Sequence, residues 1–153
     1  MKNFKLLLAI STPSLPGLLS GILGQHILLF AENLEKAQAL LEARQDFDLI
    51  LCGLHFDNGK MYELLEAAKS SNATAHIPFI CVQLIGSILP HGAFKSMRTA
   101  FDILGGDLFI QVAKWRIDHG DEEAFRKFSD VILNIAQDPG KIKSVNAALD
   151  ESS

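Results

Sequence analysis

The stretch from Phe47 to Leu65, FDLILCGLHFDNGKMYELL, constrains the fold more than any other part of the chain. Its run Leu49-Ile50-Leu51-Cys52 is short, rich in strand formers and followed at once by Gly53, so it predicts a strand buried on both faces and ending at a loop. Beyond Lys60, the residues Met61, Leu64, Leu65 and Ala68 recur at helical spacing and form one apolar stripe wide enough to cover a sheet. Strand, loop and helix in that order are the repeating unit of an open parallel α/β sheet. Ligands of such sheets gather at the carboxyl ends of the strands, which directs attention to the loop Gly53 to Gly59.

The flanking sequence repeats the unit. Phe4 to Ile10 reads as a first strand, Ser11-Thr12-Pro13 as its turn, and Leu15, Leu18, Leu19 and Ile22 as a helix capped by Ser14 or Ser11 and stopped at Gly24. His26 to Phe30 reads as a second strand and Ala31 to Ala43 as an amphipathic helix. Ile77 to Val82 makes a fourth strand with Pro78 at its entrance, followed by a loose connection from Leu84 to Gly92. Phe94, Met97, Phe101 and Leu104 then mark a helix with Arg98 and Asp102 one turn apart, ended by Gly105-Gly106. Asp107 to Val112 reads as a fifth strand, Ala113 to Gly120 as a bridge, and the chain from Asp121 as a last helix lined by Phe125, Phe128, Ile132 and Ile135. After Asp138-Pro139-Gly140, Ile142, Val145 and Leu149 admit either a brief docked helix or disorder.

A chain of 153 residues supports one core, so the expected division is a single domain over 1–136 and a tail over 137–153. Its net charge of −4 and the absence of any basic run argue against a phosphate-neutralising surface for nucleic acid. The apolar run near the start ends at Ser11, too early for a membrane span or signal peptide. Cys52 and Cys81 both lie in apolar runs and read as buried thiols, which suits a reducing cytoplasm.

Five strands alternating with five helices resemble the receiver domain of bacterial two-component response regulators, a flavodoxin-like three-layer α/β sandwich with strand order 2-1-3-4-5. The local resemblance is strongest in AENLEKAQALLEARQDFDLILCGL, in ELL at Glu63 to Leu65 and in IPFICV at Ile77 to Val82, and it covers roughly 4–136. It implies chemistry whose residues are replaced here. A receiver is phosphorylated on an Asp at the end of the third strand, and that position falls on Gly53. The acidic pair that holds Mg²⁺ falls on Ile10, Ser11 and Thr12; the switch hydroxyl falls on Gln83 and the lysine of the fifth strand on Gln111. Asp57, the nearest acid, reads as a solvated turn residue beside Asn58-Gly59, and Asp107 as an exposed acid at a strand entrance.

The expectation is therefore a non-phosphorylatable, stand-alone pseudo-receiver, not an enzyme, without cofactor or metal, acting on a protein partner: a kinase, a regulator or its own copy. The alternative is a small-ligand sensor in which His55 joins Ser11, Thr12, Gln83 and Gln111 in a neutral polar pocket. Resemblance implies a partner surface on the fourth helix, fifth strand and last helix, near Lys95, Arg98, Trp115 and Arg116. Trp115 reads equally as an exposed anchor there or as a ring folded over the last helix. Pairing Gly53 with Gln83 places Cys81 beside Leu51 and the two thiols on opposite faces.

Overall fold

The computed structural model describes residues 3–152. Five parallel strands form one sheet in the order β2-β1-β3-β4-β5, as expected: β1 Lys5–Ala9, β2 Ile27–Ala31, β3 Leu49–Gly53, β4 Phe79–Gln83 and β5 Leu108–Gln111. β3 and β4 are buried throughout, which is why they read as unbroken apolar runs rather than alternating ones. Helices α1 (Leu15–Leu23) and α6 (Asp121–Gln137) cover one face; α2 (Leu34–Ala43), α3 (Met61–Ser70) and α4 (His91–Ile103) cover the other. Alternate strand residues feed the two layers, Leu6, Leu8, Leu49 and Leu51 into the first and Leu7, Ala9, Ile50 and Cys52 into the second.

Several boundaries differ from the sequence reading. Ala31 ends β2, and Asn33 starts α2 instead, its side chain accepting from the Lys36 amide at 2.8 Å. Ser14 precedes α1 without a side-chain capping bond. The expected bridge from Ala113 is a helix, α5 (Val112–His119), entered directly from β5. It lacks an apolar stripe, burying only Val112 and Ala113, so its sequence carries no helical period. Beyond α6, Pro139–Lys141 makes a 3-10 turn and Ile142–Ser152 forms helix α7. Ile142, Val145 and Leu149 sit half-buried against the α1/α6 layer. None of the described helices is long and apolar enough to cross a membrane.

The register between β3 and β4 also corrects the expectation by one residue. Ile50 N donates to Pro78 O at 2.8 Å and Leu54 N to Val82 O at 2.9 Å, which pairs Gly53 with Val82 and Cys52 with Cys81. Two strands buried on both faces show no polar side to pin the register, so a slip of one leaves no trace in the sequence. The two thiols are consequently neighbours in one layer, both free and fully buried. Desolvation pushes both thiols well above their ordinary range, and the neighbouring Cys81 adds to the rise at Cys52. A chromogenic disulfide reagent is expected to leave the native protein unmodified and to titrate two thiols once denaturant is added. Prompt reaction of the folded chain would contradict this packing.

The acid expected to be merely exposed, Asp107, is instead a fastener. Its carboxylate accepts from Phe79 N at 2.8 Å and from Lys69 Nζ at 2.9 Å, tying the entrances of β4 and β5 to α3. Lys69 Nζ also donates to Ala75 O and Ile77 O, so one ammonium gathers the whole connection before β4.

Candidate functional site

The carboxyl ends of the strands bring Ser11, Thr12, Gly53, His55 and Gln83 around one small cavity of about 40 Å³. Gln111 adjoins it through Gln83. The positions to which resemblance assigned receiver chemistry are therefore together in space, with His55 on the rim and exposed to solvent.

Ser11, two residues beyond β1, has a hydroxyl that donates to Glu32 O at 2.7 Å and accepts from Asp57 N at 2.7 Å. The Asp57 carboxylate in turn accepts from Leu34 N at 2.9 Å, at the first turn of α2. That bond satisfies one of the amides a helix start leaves without a partner and sets a negative charge at the positive end of the dipole. Asp57 is thus not a solvated turn residue. It locks the β3–α3 loop to the β2–α2 loop, with Ser11 between them. The loop can take this path because Asp57, Asn58 and Gly59 all adopt positive φ, of 46°, 57° and 90°, a conformation that Asp, Asn and Gly tolerate best.

The other side of the rim is fastened by amides. Gln111 Nε2 donates to Gln83 Oε1 at 2.9 Å, and Gln83 Nε2 donates to Ser87 O at 2.7 Å, so the buried Gln83 is satisfied at both ends. Arg116 Nη1 donates to Leu84 O at 2.8 Å while its guanidinium holds Asp121 through Nε and Nη2 and lies over the Phe125 ring at 5.0 Å. That pairing raises the Arg116 pKa and lowers the Asp121 carboxyl below its ordinary value.

Such a site has the Ser11 hydroxyl and the Gln83 and Gln111 amides already engaged, beside a cavity of about 40 Å³. The donor set does not suit a divalent cation: Mg²⁺ favours carboxylate oxygens, and the Ser11 hydroxyl is committed on both sides. Among the described residues, no three His, Cys, Asp or Glu side chains come together.

The residues assigned to a partner face separate. Lys95 is exposed on α4. Arg116 is turned inward, as described. Trp115 is half-buried against the α1/α6 layer with Lys127 Nζ 4.3 Å from its ring centroid, so of the two readings of this residue the ring folds toward α6. Arg98 lies within reach of Asp102, 3.9 Å away, but its main bonds go to α7: Nη2 to Asn146 Oδ1 at 2.8 Å and both terminal nitrogens to the Asp150 carboxylate. This holds the Asp150 carboxyl below its usual range. Arg98 and Trp115 line a second cavity of about 290 Å³ between α4, β5, α5 and α7. Nothing in the sequence pairs positions 98 and 150; only the period of Ile142, Val145 and Leu149 hints that α7 has a docked face.

No family model matches this sequence. No curated protein matches it either. Solved structures do. A response regulator receiver domain protein from Methanospirillum hungatei superposes with a TM-score of 0.67 at 16% identity, over 92% of this chain and 98% of that one. The phosphorylated cyanobacterial phytochrome response regulator RcpA gives 0.67 at 18% identity, over 90% and 96%. The chemotaxis response regulator CheY4 of Vibrio cholerae gives 0.65 at 14% identity, over 86% and 99%. At these identities the likeness concerns the fold, and the fold is the CheY-like, flavodoxin-like one of response-regulator receiver domains.

Proposed function

We propose that this chain is a receiver-type module of two-component signalling that acts by binding another protein and takes no phosphoryl group itself. The observation that carries the reading is the end of β3, where the last residue is Gly53, the position to which the resemblance assigns the phosphoacceptor, and the loops around it are closed by Ser11, Asp57 and Leu34. Forming an acyl phosphate requires a carboxylate nucleophile and a cation to neutralise the transferring charge. Glycine supplies no nucleophile, and the Ser11 hydroxyl, engaged in two bonds, offers a poor bed for the cation. Sensing of a small ligand at the same rim gains no support from a cavity of about 40 Å³. Recognition through the surface remains, and the neighbours' description as response regulators supports a place in signalling.

Incubation with acetyl phosphate and Mg²⁺, followed by intact-mass analysis, tests this directly. The mass is expected to stay unchanged. A stoichiometric, base-labile phosphoryl adduct would overturn the proposal.

A further inference from the structure

The two edges of the sheet are finished differently. At β5, Leu108, Phe109 and Ile110 are all buried. At β2 only Ala31 is buried, while Ile27 is 49% exposed and Phe30 36%. Leu28 packs on the α1/α6 layer and Leu29 on the other, so by alternation Phe30 and Ile27 stand on opposite faces of the sheet. Neither layer closes over this edge. The strand reads ILLFA in unbroken register with β1, without the charge, proline or bulge that ordinarily keeps an edge from pairing.

The backbone fixes what the edge offers. Ile27 N donates to Phe4 O at 2.8 Å and Ala31 O accepts from Ile10 N at 3.0 Å, so the odd-numbered residues of β2 bond to β1. Alternate residues of a strand bond to alternate sides, which turns the N–H and C=O of Leu28 and Phe30 outward. A second copy of the strand, antiparallel about a two-fold axis at Leu29, sets Leu28 opposite Phe30 of that copy and uses every one of these outward groups. The same register matches the side chains. Ile27 falls opposite the small Ala31 and, one step beyond the strand, His26 falls opposite Glu32. His26 Nδ1 accepts from Phe4 N at 3.4 Å, which leaves the proton of the neutral ring on Nε2 as a donor for a carboxylate, and Glu32 is exposed. An unrelated strand can satisfy the backbone, but these matches of size and charge come from the chain's own sequence.

We infer that the β2 edge is a self-association surface, through which two copies of this chain join their sheets antiparallel about a two-fold axis at Leu29. The inference goes beyond the reading of the chain as a binding module: it names a second copy as the occupant and an edge away from the strand ends as the place.

Sedimentation velocity over a series reaching about 0.5 mM chain tests the association. The unaltered 16.8 kDa chain is expected to form a dimer, and a monomer throughout the series would overturn the inference. Phe30→Pro removes an outward N–H that β1 does not use, which an edge strand tolerates, and is expected to weaken dimerisation at least about tenfold. Ile103→Lys, at an exposed apolar position on α4, is expected to leave the dimer unchanged. The opposite pattern, a dimer lost with Ile103→Lys and kept with Phe30→Pro, contradicts the proposed edge. Circular dichroism confirms that both variants keep the sheet.

Leu29→Cys reads the register without weakening the backbone pairing. At the axis the two residues form a non-hydrogen-bonded pair with Cα atoms about 4.5 Å apart, within disulfide reach. Mild oxidation followed by alkylation is therefore expected to give a covalent dimer in non-reducing gels. Ile27→Cys is expected to give none, since its counterpart lies about 13 Å away along the strand. The native Cys52 and Cys81 are buried and do not compete. Equal cross-linking of the two variants, or none with Leu29→Cys, would sink the arrangement. Acetyl phosphate labelling bears on none of these results, so the two readings fail separately.

Discussion

Replacing Gly106 with alanine is expected to destabilise the protein by about 3 kcal/mol or more, the upper part of the range for overpacking a core. The added Cβ would fall 2.3 Å from two ring carbons of Phe101, far inside van der Waals contact. Phe101 is fully buried and has nowhere to retreat: the Phe79 ring stands 6.1 Å from it and the Phe109 ring 5.5 Å, edge to face. The backbone cannot give way either. Gly105 N donates to Asp102 O and Gly106 N to Phe101 O, the double closure that ends α4, with Gly105 at a φ of 94°. Urea unfolding checks the loss, and a Phe101→Leu partner substitution should recover part of it, with a coupling of about 1–3 kcal/mol. Additive losses would place the clash elsewhere. By contrast, Gly17 and Gly21 in α1 meet nothing within 4 Å, and alanine there is expected to add about 0.4–1 kcal/mol.

Asp107→Ala should cost about 2–3 kcal/mol, because it removes the carboxylate oxygen that a half-buried ammonium and a backbone amide share as acceptor. Phe79 N loses its carboxylate partner, and Lys69 Nζ keeps only the carbonyls of Ala75 and Ile77. Side-chain exposures of 16% for Lys69 and 25% for Asp107 place the pair between a surface bridge and a buried one. Asp107→Asn retains an acceptor for both donors and should lose about half as much. The pair lies at the entrances of β4 and β5, away from the strand ends that make up the candidate site. Chemical denaturation of the three proteins decides the matter, and an Asp107→Ala variant as stable as the parent would remove the fastener from the account.

The central strands were legible because burial on both faces leaves an uninterrupted apolar run, as in Leu49 to Cys52 and Phe79 to Val82. Strand order followed from resemblance rather than from any pattern in the residues. The same two-sided burial hid the register, and with it the side-by-side placement of Cys52 and Cys81. α5 escaped because a helix that buries only Val112 and Ala113 shows no stripe. The residues at the strand ends gather at one rim, but their bonds were not legible. Ser11 spans 21 positions to Glu32 and 46 to Asp57, and Arg98 spans 52 to Asp150. Local periodicity carries no information over such distances. Asp57 and Asp107 were misjudged for one reason: a carboxylate beside a turn is exposed unless a remote amide needs it, and both found one.

That the strand ends are closed by the chain's own hydrogen bonds, and are not open for phosphoryl chemistry, is tested most directly by amide NMR during titration with Mg²⁺ and beryllofluoride, which together imitate a bound phosphoryl group. The resonances of Gly53, Leu54, Gln83 and Asp57 are expected to hold their positions throughout. Saturable shifts at those amides, dependent on both components, would show a working acceptor site and contradict the account.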